Sequence, residues 1–222
     1  MKKENLVINV LGDSITVGAK ASEHEKCFVR LLQNKYGFKE VNGYGVGGSR
    51  IARQRVPSLV AAYDRCFLDR FEEMGDADII IVFGGTNDWG HGDAHIGNKE
   101  DKDEYTFCGA VNSLIEKLDR KYKDKFVFFI TPLHRKDDES LFGEGQKKEG
   151  EAPLATYVDN LLYLLRKNEI PVLDLFHDKE FAPDKNFFDT VISPDGVHPT
   201  DCGHLKIAQS IVEFLTKNKV ID

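Results

Sequence analysis

Apolar positions along the chain fall into two kinds of pattern. Short, nearly continuous runs come at Leu6-Val7-Ile8-Asn9-Val10, Ile79-Ile80-Ile81-Val82-Phe83, Phe126-Val127-Phe128-Phe129-Ile130 and Pro171-Val172-Leu173. Runs of this length and continuity predict strands buried on both faces of a parallel sheet. A less apolar stretch, Glu40-Val41-Asn42-Gly43-Tyr44, adds a fifth strand. Between the runs the spacing becomes helical. Phe28, Leu31 and Leu32 mark a helix that ends near Gly37. Phe107, Val111, Leu114, Ile115 and Leu118 mark another, with Thr106 as its N-cap. Leu154, Val158, Leu161, Leu162 and Leu165 repeat the pattern, and Leu205, Ala208, Val212 and Leu215 close the chain. Alternating strand and helix predicts a three-layer α/β/α fold.

Two segments interrupt the alternation. Residues 89–105 are polar and aperiodic, and residues 135–151 are charged and contain Gly143, Gly145 and Gly150. Both follow predicted strand ends, where open α/β sheets place their binding crevice. They are read as loop excursions of one domain spanning residues 1–222, either shaping a pocket or running over the surface. No internal repeat or linker divides the chain.

Composition narrows the function classes. With 222 residues, 41% of them hydrophobic, the chain has material for a full core. No run approaches the ~18 apolar residues of a membrane span. Lys2 and Lys3 precede an apolar run as in an export signal, but Gly12-Asp13 ends that run too early, which points to a cytoplasmic protein. A net charge of −7 argues against a nucleic-acid partner. Cys27, Cys66, Cys108 and Cys202 are scattered, without a CxxC pair, and read as reduced structural thiols. Cys202 and His204 lack the further ligands of a zinc site, and His91 and His95 read as loop residues, so no metal is expected.

Four pieces carry candidate chemistry. Ser14 follows the first strand in Gly12-Asp13-Ser14-Ile15, where a turn would aim N–H groups at a developing negative charge. The segment Asn42 to Arg50 holds Gly43, Gly45, Gly47 and Gly48, which let the backbone approach another group closely. It matches neither of the common phosphate-binding patterns. Asn87, in Gly84-Gly85-Thr86-Asn87-Asp88, offers an amide donor that does not titrate. Asp195 and His198 lie three apart in a Gly/Pro-punctuated loop, suited to a carboxylate orienting an imidazole base, and Pro199 restricts His198 to extended backbone. Each piece alone is an ordinary turn. Their order and their positions at strand ends describe an acyl-transfer site.

These blocks, GDSI at 12–15, GVGGS at 45–49, GTND at 85–88 and DGVHP at 195–199, resemble the SGNH hydrolase superfamily, the GDSL-type esterases and lipases. The resemblance covers residue 6 to the C-terminal helix. It implies a five-stranded parallel sheet of flavodoxin-like order, with Ser14 as nucleophile, His198 as base and acid, and Asp195 orienting His198. It also implies an oxyanion hole from the Ser14 and Gly48 N–H groups and the Asn87 side chain, with Gly47 the alternative to Gly48. No metal or organic cofactor is required, and the G-x-S-x-G elbow of α/β-hydrolases is absent.

The expected activity is a serine esterase on a small-molecule ester, with short acyl (acetyl) groups favoured by the polar loops and a carbohydrate as a candidate carrier. Trp89 is a candidate sugar platform and Arg135 a candidate partner for an anionic group. A lysophospholipase or thioesterase acting on longer chains is the alternative within enzymes. A non-catalytic ligand-binding protein on a flavodoxin-like sheet is the alternative outside them. The oligomeric state is not legible.

Overall fold

In a computed structural model of the chain, residues 1–145 and 150–222 are described. They form five strands, β1 (Val7–Gly12), β2 (Glu40–Gly45), β3 (Ile79–Phe83), β4 (Phe126–Ile130) and β5 (Val172–Leu173). All pairs are parallel, in the order β2-β1-β3-β4-β5. This is the flavodoxin-like order, with a switch point where β1 and β3 diverge to opposite sides. The doubly covered sheet expected from the apolar runs is therefore the one the chain adopts.

Alternation across the strands divides the apolar residues into two cores. Ile79, Ile81 and Phe83 face one core with Ile8, Val10, Phe128 and Ile130. Helices α2 (Phe28–Asn34) and α7 (Asp201–Lys217) cover that face. Ile80, Val82, Leu11 and Phe129 face the other, beneath α3 (Phe67–Arg70), α5 (Phe107–Lys121) and α6 (Leu154–Lys167). Thr106 caps α5 by accepting the Gly109 N–H.

Three local expectations change. The inward stripe of α7 is His204, Ile207, Ala208, Ile211 and Leu215, while Leu205 and Val212 lie at its margin. A buried histidine carries part of a stripe read from aliphatic residues alone. The 89–105 excursion begins inside a short helix, α4 (Thr86–Gly90), whose Trp89 is buried. It is also tied to the second excursion: Trp89 Nε1 donates to the Ser140 carbonyl, Glu144 N–H to Gly90, and Ile96 N–H to the Glu151 carboxylate. Residues 146–149 lie outside the described part.

His204 lies between α7 and α2. Its Nδ1 is 3.4 Å from the Phe28 N–H and its Nε2 3.4 Å from the Ala19 carbonyl, so the neutral ring accepts at one nitrogen and donates at the other. Burial pushes its pKa down to about 4, against the opposing pull of the Ala19 carbonyl and Asp201. The unfolded chain therefore binds a proton that the fold refuses between pH ~6.5 and about 4. Stability is full above that window and is lost as pH falls through it. The stability advantage of wild type over His204→Gln should thus shrink by up to about 3 kcal/mol between pH 7 and pH 4. Urea unfolding at the two pH values checks this, and a constant gap would show that His204 titrates normally.

Candidate active site

Ser14 opens a one-turn helix, α1 (Ser14–Val17), directly off the carboxyl end of β1. The Asp13 side chain caps that turn by accepting the Ile15 N–H at 2.9 Å. Gly45, at the end of β2, makes the close approach possible: a Cβ there would meet the Val17 N at 2.7 Å and the Asp13 carbonyl at 2.8 Å.

His198 arrives from the opposite end of the chain. A wide helical turn over Phe187–Val191, closed by the Ile192 N–H on the Phe187 carbonyl, leads into its loop. The loop is stapled by Ser193 N–H to the His198 carbonyl, Thr200 N–H to Val191, and Lys136 N–H to Gly196. Thr200 then caps α7 by accepting the Gly203 N–H. The result is a line of contacts: Ser14 Oγ to His198 Nε2 is 2.8 Å, and His198 Nδ1 to Asp195 Oδ2 is 2.9 Å. With the proton on Nδ1, the ring donates to Asp195 and accepts from the Ser14 hydroxyl.

Asp195 is fixed by more than the ring. Its Oδ1 accepts from the Ser193 hydroxyl and from the Val197 and His198 N–H groups. Partial burial opposes its charge, but these bonds and the imidazole outweigh it and hold the carboxyl well below the usual range. Lys20 Nζ stands 3.9 Å from Oδ2. Asp13 behaves oppositely: burial pushes its carboxyl up to about 6, although the Ile15 N–H, His198, Arg70 and Arg135 favour the charge.

The glycine segment and Asn87 meet on the other side of Ser14. Ser49 N–H donates to Val46, closing a turn with Gly47 and Gly48 at its centre. Gly48 has φ of 72°, a left-handed conformation that favours glycine, and the Tyr63 ring lies where a Cβ would be. Asn87 Nδ2 donates to the Ser49 carbonyl at 3.0 Å. An amide has two N–H donors, so this bond orients the group while leaving a second donor for the site.

Three residues that build this arrangement were not anticipated. Asp88 accepts the Ile51 and Ala52 N–H groups at 3.0 and 2.9 Å, holding the segment after the glycine turn. Arg70, buried on α3, donates to the Gly12 carbonyl at 2.9 Å, the Ser49 hydroxyl at 2.8 Å and the Tyr44 carbonyl. Burial pushes its pKa down to about 10, so it stays a cation at neutral pH. Asp13, the N-cap, is the third. The available signal was physical: an arginine among Phe67, Leu68 and Phe71 must find acceptors, and buried carboxylates must find donors.

Other candidates move away from the site's chemistry. Trp89 is 1% exposed, with the Arg135 guanidinium 5.0 Å from its ring, so it offers no platform to a sugar. Arg135 is itself buried and bonded to Thr86 and Glu144. His91 is buried beside Arg50 and Tyr63, not solvated on a loop. Cys27, Cys66 and Cys108 are buried free thiols, and Cys202 is exposed. Among the described residues no group of three or more His, Cys, Asp or Glu side chains is arranged to hold a metal, and no helix is long and apolar enough to cross a membrane.

A parallel sheet of this order, with a Ser–His–Asp line at its carboxyl edge, has the architecture of an α/β ester hydrolase. Residues 10–206 match the GDSL-like lipase/acylhydrolase family, and the chain belongs to that family of ester-bond hydrolases. Among solved structures it is similar to a protein from Lactobacillus plantarum, at 26% identity over 96% of this chain and 97% of that one, with a TM-score of 0.79. It shares its fold with the lipase/acylhydrolase from Enterococcus faecalis, at 18% identity over 98% and 97% of the chains and a TM-score of 0.64. It also shares it with an acetyl xylan esterase, at 20% identity over 94% and 98% and a TM-score of 0.60. No curated protein sequence matches.

Removing the Asp88 carboxylate strands two buried N–H groups, at roughly 1–3 kcal/mol each. Asp88→Ala should therefore destabilise the fold by about 2–5 kcal/mol in urea unfolding. A loss below about 0.5 kcal/mol would show that the segment finds other acceptors.

Proposed function

We propose that the chain is a serine esterase that works through an acyl-enzyme on small carboxylic esters of short acyl groups. The observation that carries this reading is the 2.8 Å contact between Ser14 Oγ and His198 Nε2, with Asp195 2.9 Å behind the ring. His198 takes the Ser14 proton as Oγ forms a bond to the ester carbonyl carbon. The carbonyl electrons move onto oxygen, which is met by the Ser14 and Gly48 N–H groups and the second Asn87 donor. As the intermediate collapses, the bond to the alcohol oxygen breaks and His198 returns the proton to that oxygen. Water then repeats the sequence and frees the acid. Asp195, held ionised, keeps Nδ1 protonated and stabilises the imidazolium.

Gly48 is preferred over Gly47 because its N–H belongs to the central peptide of the turn, whose geometry the positive φ fixes. An acetylated carbohydrate is supported by the likeness to the acetyl xylan esterase, while the burial of Trp89 removes one feature that suggested a sugar. The ligand-binding alternative gives no reason for the Asp195–His198–Ser14 line.

Hydrolysis of p-nitrophenyl acetate should vanish in Ser14→Ala. It should fall by roughly 10²–10³ in kcat for Asn87→Ala, with little change in KM. Asp195→Asn should lose up to about 10⁴ by favouring the wrong tautomer. Equal turnover by wild type and Ser14→Ala would remove Ser14 from the mechanism.

A further inference from the structure

A cleft of about 570 Å³ adjoins the site, and its walls are the direct continuations of the two segments assigned to the oxyanion. The chain after Gly48 supplies Arg50, Val56, Leu59, Val60 and Tyr63, and the chain after Asn87 supplies His91 to His95. Tyr63 joins the two regions physically, because its ring covers Gly48 while the adjoining Gly47 is the glycine nearest Ser14. From this we propose that the cleft is an acyl pocket selecting straight chains of about four to eight carbons over acetyl, a size within the roughly 300–1,000 Å³ of small-molecule sites. The proposal rests on the acyl-enzyme reading above.

Direction decides which half of the ester enters. A tetrahedral intermediate carries the Ser14 oxygen, the oxyanion, the alcohol and the acyl chain. The alcohol oxygen must lie by His198 Nε2, which protonates it. Among the described residues, none lining the cleft comes from the 191–200 segment that carries His198. The cleft lies past the oxyanion donors instead, in the direction left to the acyl chain.

Chemistry decides which chain. Val56, Leu59 and Val60 are exposed apolar side chains, 62%, 108% and 47% accessible, gathered on one lip. The polar groups of the walls are engaged within the protein. The Arg50 guanidinium is bonded to Ser58, the Tyr63 carbonyl, Asp64 and His91. Asp93 accepts the Arg55 and Val56 N–H groups, and Glu151 the Ile96 N–H and the Tyr157 hydroxyl. The same bonds tie the lip to the end of α4, so the cleft exists before substrate arrives. A wall with apolar tips and satisfied polar groups favours methylenes over sugar hydroxyls, at up to roughly a three- to fourfold gain in kcat/KM per buried CH₂.

The test varies each half of the ester separately. Wild type, Ala94→Phe (which fills the cleft) and Val60→Asp (which charges its lip) are assayed on p-nitrophenyl acetate, butyrate and hexanoate, then on methyl, butyl and hexyl butyrate. The hexanoate-to-acetate ratio of kcat/KM should be roughly tenfold or more in wild type and fall at least fivefold in both variants. Ratios taken within one protein cancel any misfolded fraction. The alcohol series should be equally flat in all three proteins. A wild-type ratio at or below one overturns the proposal. So do variants that change the alcohol series instead, which would assign the cleft to the leaving group. Turnover surviving in Ser14→Ala would defeat the acyl-enzyme reading itself, a distinct result. Wild type inert on every ester would defeat both.

Discussion

The guanidinium of Arg70 solves a problem that any parallel sheet creates at its carboxyl edge. Where β1 and β2 end, their carbonyls leave the ladder in a region too buried for water. Arg70 gathers the Gly12 and Tyr44 carbonyls and then reaches the Ser49 hydroxyl beyond the glycine turn. One planar, fixed cation thus sets the spacing between the strand that delivers Ser14 and the segment that delivers Gly48. Lysine could not substitute, because a point charge lacks the fork that holds acceptors at defined angles. The cost is a buried charge, offset by the carbonyl dipoles and by the field of Asp13.

Asp88 and Asn87 complete the frame from β3. Asn87 holds the Ser49 carbonyl, while Asp88 holds the next two N–H groups along the same segment. A glycine turn is conformationally free by composition, and a free turn makes a poor oxyanion donor, because its dipoles must be oriented before charge develops. Bonds from two neighbouring strand ends remove that freedom. The two acidic residues beside Ser14 and His198 divide their roles through environment. Asp195 collects several donors and stays charged, whereas Asp13 is enclosed and has its carboxyl raised to about 6. For Asp13 the sign is unfavourable above its unfolded value: stability falls as pH rises from ~3.8 to about 6, since the fold prefers the proton. A carboxylate kept at a cost beside the nucleophile is understandable as the cap of α1, since without it the first turn after β1 would lose its acceptor.

Local pattern and long-range accommodation explain what could be read in advance. The strands at Ile79–Phe83 and Phe126–Ile130, and the Thr106 cap, were legible because continuous apolar runs and capping chemistry act over a few residues. Ser14, Asn87 and His198 were legible because each combines a chemically distinctive side chain with a turn at an element boundary. Arg70 and Asp88 were not. Each is a charged residue whose partners lie at other strand ends, and nothing in its own neighbourhood shows that it will be buried. Trp89 and His91 erred in the same way, since a polar, aperiodic stretch was read as solvated. In fact its polar groups are satisfied by the second excursion and by Arg50. The inward stripe of α7 was misplaced because His204 was counted as polar, although it is buried without charge.

The two loop excursions therefore belong to the site's rigidity rather than to its periphery. Trp89 and Gly90 are bonded to Ser140 and Glu144, Ile96 to Glu151, and Arg135 returns from the second excursion to Thr86 at the start of α4. The short helix carrying Asn87 is consequently clamped on one side by the glycine segment and on the other by residues 135–151. A helix of one turn has little stability of its own, because few of its backbone bonds are internal. Its position must come from tertiary contacts, and the charged, glycine-containing stretch that looks like a surface loop in the sequence supplies them. This also explains why the excursion is polar: what it has to hold is the hydrogen-bonding end of a strand, and apolar side chains could cover that end but not orient it.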